Sequence, residues 1–168
     1  VGDFKLEFDY RLAGGNSGVQ FRSRDAGGFQ VAGYQADLED GPDWTGCLYE
    51  QEGRGVCARR GQSVRFDADG SKTVLELADG ARLLGHVRPR EWNHGTIVAR
   101  GSSIAIAING VPMTSVTDLD PAHFAARGIL AFQLHQGPPM EVRFKNLLLT
   151  EYDRPARPDG RERPQWIW

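Results

Sequence analysis

Residues 128–147 read Gly128-Ile129-Leu130-Ala131-Phe132-Gln133-Leu134-His135-Gln136-Gly137-Pro138-Pro139-Met140-Glu141-Val142-Arg143-Phe144-Lys145-Asn146-Leu147. Side chains alternate along a strand with period two. Leu130, Phe132 and Leu134 therefore share one face, and Ala131, Gln133 and His135 share the other. Beyond the Gly137-Pro138-Pro139 turn, Val142 and Phe144 oppose Arg143 and Lys145. The pattern predicts a hairpin with one apolar face and one face carrying Gln133, His135, Arg143 and Lys145. An amide, an imidazole and two cations on one face can hydrogen-bond a polar ligand.

The same alternation extends upstream. Phe4, Leu6, Phe8, Tyr10 and Leu12 oppose Lys5, Glu7, Asp9 and Arg11, which predicts a half-buried strand. Val19 to Arg24 places Gln20 and Arg22 opposite Val19 and Phe21. Gly33 to Glu39 places Gln35 and Asp37 opposite Tyr34, Ala36 and Leu38, and Thr45 to Glu50 places Tyr49 opposite Leu48. Ser63 to Phe66 and Trp92 to Arg100 are further strands, with one or two helical turns between Leu77 and Val87. Asn109-Gly110 joins Ser103–Ile108 to a strand from Val111, because the pair supplies the two positive-φ residues of a type I′ turn. Eight or more antiparallel strands with short turns indicate an all-β protein, a β-sandwich or jelly roll.

The chain has 168 residues, which suits one domain able to bury its own core. We place that sandwich at residues 1–153. Residues 154–168 form an Arg/Pro-rich tail ending in Trp166-Ile167-Trp168, whose aromatic side chains are expected to dock on the body. A net charge of −2 gives no reason to expect nucleic acid. No apolar run approaches the roughly 18 residues of a membrane span. No secretory leader is visible, which suits a cytosolic chain or a processed one. Cys47 and Cys57 could pair across a hairpin, or be two separate small apolar residues.

Collected strand by strand, the polar face holds Gln20, Arg22, Gln35, Asp37, Tyr49, Gln133, His135, Arg143 and Lys145. Amides and arginines read hydroxyl groups, a tyrosine can stack on a sugar ring, and His135 or Asp37 can move protons. Each also has an ordinary structural role open to it: His135 as a satisfied histidine, Asp37 as the counter-ion of Arg22 or Lys145, Tyr49 as core. A bulge would flip part of a strand, and Asn146 is a natural place for one. No spacing matches a Ser-His-Asp hydrolase, a Walker loop or a zinc protease. The sequence requires no cofactor. A divalent metal stays open, since Glu39, Asp40 and Asp43, Asp67 and Asp69, and Asp118 and Asp120 are calcium-type ligands close in sequence, although ordinary turn formation is the favoured reading of all three groups.

One ordered series of motifs goes further. Asn16-Ser-Gly-Val-Gln-Phe-Arg-Ser-Arg, Gly33-Tyr-Gln-Ala-Asp-Leu, Trp44-Thr-Gly-Cys-Leu-Tyr-Glu, Glu91-Trp-Asn, Ile108-Asn-Gly-Val-Pro-Met and the two strands quoted above occur in this order. Over roughly residues 3–152 the series resembles the 3-keto-disaccharide hydrolase domain family. The resemblance implies a concanavalin A-like jelly roll, common in exported bacterial proteins, hence a periplasmic or extracellular location. It also implies a carbohydrate partner, a glycoside oxidised to a ketone at C3. Many relatives carry Glu and Gln in the third strand where this chain has Gln35 and Asp37.

On that resemblance the expected reaction is cleavage of 3-keto-glycosides by C2 deprotonation, elimination and hydration. His135 or Asp37 would act as base, with Arg22, Gln35, Tyr49, Gln133, Arg143 and Lys145 on the substrate. Two other classes stand beside it: a non-catalytic carbohydrate-binding module on the same sandwich, and a structural or interaction domain.

Overall fold

The computed structural model describes residues 1–152; the tail and its tryptophans lie outside the described residues. The strands are β1 (Phe4–Ala13), β2 (Asn16–Gly27), β3 (Gln30–Glu39), β4 (Leu48–Gln51), β5 (Gly55–Ala58), β6 (Gln62–Phe66) and β7 (Lys72–Glu76). A short helix α1 (Gly80–Leu84) precedes β8 (Asn93–Arg100), β9 (Ser103–Ile108), β10 (Val111–Asp118), β11 (Ile129–Leu134) and β12 (Glu141–Glu151).

Two sheets face each other. One runs β12-β1-β8-β9-β10-β6-β7, the other β11-β2-β3-β4-β5. The architecture is the all-β jelly-roll sandwich. One pair departs from the antiparallel pattern: β10 and β6 run parallel, Ser115 beside Ser63 and Asp118 beside Phe66. β7 pairs with β6 and was not legible as a strand.

The core lies between the sheets, where the alternation put it. Phe4, Leu6, Phe8, Tyr10 and Leu12 of β1 are buried, as are Val19 and Phe21 of β2 and Tyr34, Ala36 and Leu38 of β3. Phe21 meets Phe4 edge-on and stacks on Tyr34, each at 5.8 Å between ring centroids. A large apolar side chain buried in this way contributes roughly 1.5–3 kcal/mol. Asn109 (φ 52°) and Gly110 (φ 77°) close the β9–β10 turn, as the Asn-Gly pair predicts.

Residues 128–147 do not form the expected hairpin. β11 ends the five-stranded sheet and β12 ends the seven-stranded one. Pro138 and Pro139 offer no N–H to a continuing ladder. The apolar faces of the two strands pack on each other across the sandwich, with Phe132 and Phe144 rings 4.4 Å apart. Their polar faces consequently point away from each other. The cysteines are both buried free thiols. A bulge does sit at Asn146, whose φ is 52°, where the β1–β12 register shifts between Glu7 and Asp9.

Candidate functional site

A groove of about 580 Å³ lies against the five-stranded sheet. Its floor side chains come from three strands of that sheet. Gln35 and Asp37 of β3, Tyr49 of β4 and Gln133 of β11 line it, and His135 stands at its rim just past β11. Five of the eight residues read as site candidates thus meet in one place. β2 lies between β11 and β3, and Gly18 pairs with Gln133 on one side and Asp37 on the other. A Cβ at Gly18 would lie 2.6 Å from Cγ of Gln35. Only a residue without a side chain lets Gln35 lie flat across β2 toward Gln133.

Hydrogen bonds tie the floor together. Gln35 Nε2 donates to Asp37 Oδ1 at 2.7 Å and to Gln133 Oε1 at 3.2 Å. Gln35 Oε1 is buried with no partner among the described residues, an acceptor left open toward the groove that Gln35 lines. The backbone of Asp37 is fixed by the Cys47 carbonyl and the Gly46 amide. Burial pushes the Asp37 carboxyl up to about 7; the Gln35 amide opposes this and the Glu39 charge adds to it. His135 is exposed, with Nδ1 2.7 Å from the Gln136 carbonyl. Nδ1 therefore carries the proton in the neutral ring, and Nε2 is left as the basic nitrogen.

Sequence reading missed the far wall. Trp44 meets Tyr49 edge-on at 6.3 Å, giving the groove an aromatic corner. Trp44 stands in one of the quoted motifs, so the signal was there without a strand phase to aim it. Glu39 Oε2 accepts from the Asp43 and Trp44 amides at 2.8 and 2.9 Å and holds that loop. Asp40 accepts from Gly14 N and Arg90 Nε, and its carboxyl is held below the usual range by the Gly14 amide first. Glu39 thus serves its local turn, while Asp40 ties together two distant segments. No group of three or more His, Cys, Asp or Glu side chains among the described residues is placed to hold a metal ion.

Three expected site residues are elsewhere. Arg22 is the extra residue of a bulge in β2, with φ 47° and a register shift between Phe21 and Arg24. The bulge turns its guanidinium away from the groove face, onto Asp3 at 2.7 Å, the Gly2 carbonyl at 2.9 Å and the Gly101 carbonyl at 2.7 Å. Arg143 pairs with Glu141, and Lys145 lies 3.9 Å from the Trp92 ring centre. Both project from the seven-stranded sheet, because β11 and β12 are in different sheets. Gln20 is buried and does not line the groove. The lining residues include three carboxylates and neither Lys nor Arg.

The family model described as the 3-keto-alpha-glucoside-1,2-lyase-like domain matches residues 1–150. No curated protein matches the sequence. Among solved structures, a provisionally named glycosyl hydrolase from Parabacteroides distasonis is similar, with a TM-score of 0.62 and 18% identity over 90% of this chain and 79% of that one. A second such protein from the same organism has a TM-score of 0.57 at 18% identity, covering 90% and 73%. The carbohydrate-binding module CBM66 from Bacillus subtilis has a TM-score of 0.53 at 12% identity, covering 89% and 75%. At such identities these likenesses show the shared fold.

Proposed function

The chain belongs to the 3-keto-alpha-glucoside-1,2-lyase-like domain family, its function is carbohydrate-related, and on that premise we propose that its groove cleaves glycosides oxidised at C3. The observation that carries the reading is Asp37. A carboxyl that titrates near 7, buried on the floor of a sugar-sized groove, has the affinity for a proton that a general base needs at neutral pH.

A C3 ketone acidifies the proton on C2. Ionised Asp37 takes that proton, and the C–H electron pair moves into an enolate between C2 and C3. When the enolate collapses, the carbonyl re-forms, a C1–C2 double bond appears and the C1–O bond breaks. The departing oxygen takes a proton from His135, whose exposed ring can donate and be recharged from solvent. Water then adds to the unsaturated ketone. Each step balances without an oxidant.

The expected cationic partners of the enolate are replaced in this scheme. Gln133 and protonated His135 supply the donors, while the open Gln35 Oε1 accepts from a substrate hydroxyl. Tyr49 and Trp44 offer an aromatic corner to the sugar ring. Three carboxylates in the lining suit a neutral sugar and disfavour a phosphorylated one.

The amide-and-aromatic lining also suits a module that binds sugar without chemistry. Incubation with 3-keto-glucosides and their unoxidised parents separates the readings. Release of the leaving group from the keto compounds alone supports the enzyme; binding of both without release supports the module.

A further inference from the structure

A second cavity of about 260 Å³ lies behind one wall of the groove and shares Glu39 and Asp40 with it. Leu12, Pro42, Leu84, Val87 and Pro89 give it a mainly apolar surface, and Arg88, Arg90 and Asn93 join the two shared carboxylates as its polar lining. Among the described residues, the buried polar side chain of its lining that lacks a partner is Tyr10. This residue is 2% exposed, lines the cavity, and its hydroxyl has no hydrogen-bond partner among the described residues. A buried hydroxyl without a partner is costly. In a pocket it is a hydrogen-bonding position open to a ligand.

The cavity is built rather than left over. The buried Asn93 side chain accepts from Arg88 N at 2.8 Å and donates to the Arg88 and Glu91 carbonyls at 2.8 and 3.1 Å. Asn109 Nδ2 adds a bond to Asn93 Oδ1 at 2.8 Å. These fix the loop carrying Val87 and Pro89. Arg90 Nε closes the rim on Asp40 at 2.9 Å. Asn93 belongs to the Glu91-Trp-Asn motif, which the main groove leaves without a role.

We propose that this cavity is the leaving-group subsite of the groove and takes a hydroxylated aromatic ring; this rests on the glycoside-cleaving reading above. The size fits, since an apolar cavity of about 150 Å³ already holds benzene. The lining favours a ring over a second sugar, because Glu39, Asp40, Arg90 and Asn93 are already engaged within the protein and the surface left to a ligand is mainly apolar. A single ring hydroxyl pairs with Tyr10 Oη.

The test uses resorcinol as probe, followed by amide chemical shifts in the whole chain. Saturating shifts at Leu84, Val87 and Asp40 are expected. Tyr10→Phe should weaken binding about fivefold or more, by the usual worth of one hydrogen bond. The same variant should melt no lower than the parent, because the lost hydroxyl had no partner within the protein. Absent shifts at these residues, equal affinity in Tyr10→Phe, or stronger shifts there with glucose would each overturn the proposal. In turnover, a 4-hydroxyphenyl 3-keto-glucoside should have a lower KM than the methyl compound, with the gap lost in Tyr10→Phe; an equal KM in the parent counts against the subsite. If neither glycoside is cleaved, the reading of the main groove falls, while the resorcinol titration still decides whether this cavity takes the ring.

Discussion

Gln35 Nε2 donates to Asp37 Oδ1 at 2.7 Å, and both side chains lie on the outward face of β3. The bond stabilises ionised Asp37, while burial stabilises its neutral form more. The carboxyl therefore sits near the midpoint of its titration at neutral pH. Its neighbour offers an open Oε1 to the same groove. Chemistry and recognition are thus coupled through one amide.

That coupling has a signature in stability. The folded carboxyl titrates at about 7, above its ordinary 3.8. Between these values the folded state holds a proton that the unfolded chain has released, so stability falls as pH rises through the window. Asp37→Asn removes the effect. It should match the parent in stability near pH 4 and exceed it above pH 7, by up to about 4 kcal/mol at the upper limit. Urea midpoints measured across this range check it; parallel curves for the two proteins would contradict the buried carboxyl.

Gly18→Ala should disable the groove without unfolding the sandwich. The new methyl group would fall 2.6 Å from Gln35 Cγ and displace the amide from Asp37 and Gln133. Turnover is expected to fall by about tenfold or more, as when a positioning hydrogen bond is lost. Circular dichroism should be unchanged. Full activity would show that the Gln35 position is immaterial.

How far the sequence carried depended on where strands stayed regular. In β3 the alternation is uninterrupted from Tyr34 to Leu38, so Gln35 and Asp37 were aimed correctly. In β2 a bulge at Arg22 reverses the phase, and nothing in the sequence Phe21-Arg-Ser-Arg announces it. Alternation also assigns faces within a strand but not membership of a sheet. Phe132 and Phe144 satisfy one pattern equally well as neighbours in one sheet or as facing residues in two, and the structure uses the second. Arg143 and Lys145 were misplaced for that reason. Trp44, in a loop, had no period to orient it.

Arg22 is accordingly a stability residue. Its guanidinium bonds to Asp3 and two backbone carbonyls. Arg22→Ala should cost about 2–4 kcal/mol, because buried acceptors lose a charged donor. Chemical denaturation measures this, and sugar binding by the folded fraction should be unaltered. A normal midpoint with lost sugar binding would return Arg22 to the site.

The thiols should be inert in the folded state. Burial raises both, and pushes Cys57 up to about 12. A thiol reagent at neutral pH should leave Cys47 and Cys57 unmodified until denaturant is added, and then count two thiols. Rapid labelling of the native protein would contradict their placement.

The most direct test of the central claim is kcat/KM on a 3-keto-glucoside for the parent and Asp37→Asn between about pH 5 and 9, with His135→Gln alongside. The acid limb of the parent's profile should follow ionisation of Asp37 near 7, and the rate should fall again at higher pH because the leaving group needs a protonated acid. His135→Gln should lower the rate by about a hundredfold, the usual scale for losing an acid–base group. Asp37→Asn should lower it at least as far and abolish the rise near pH 7. An Asp37→Asn protein that keeps the parent's rate and pH profile would contradict the account.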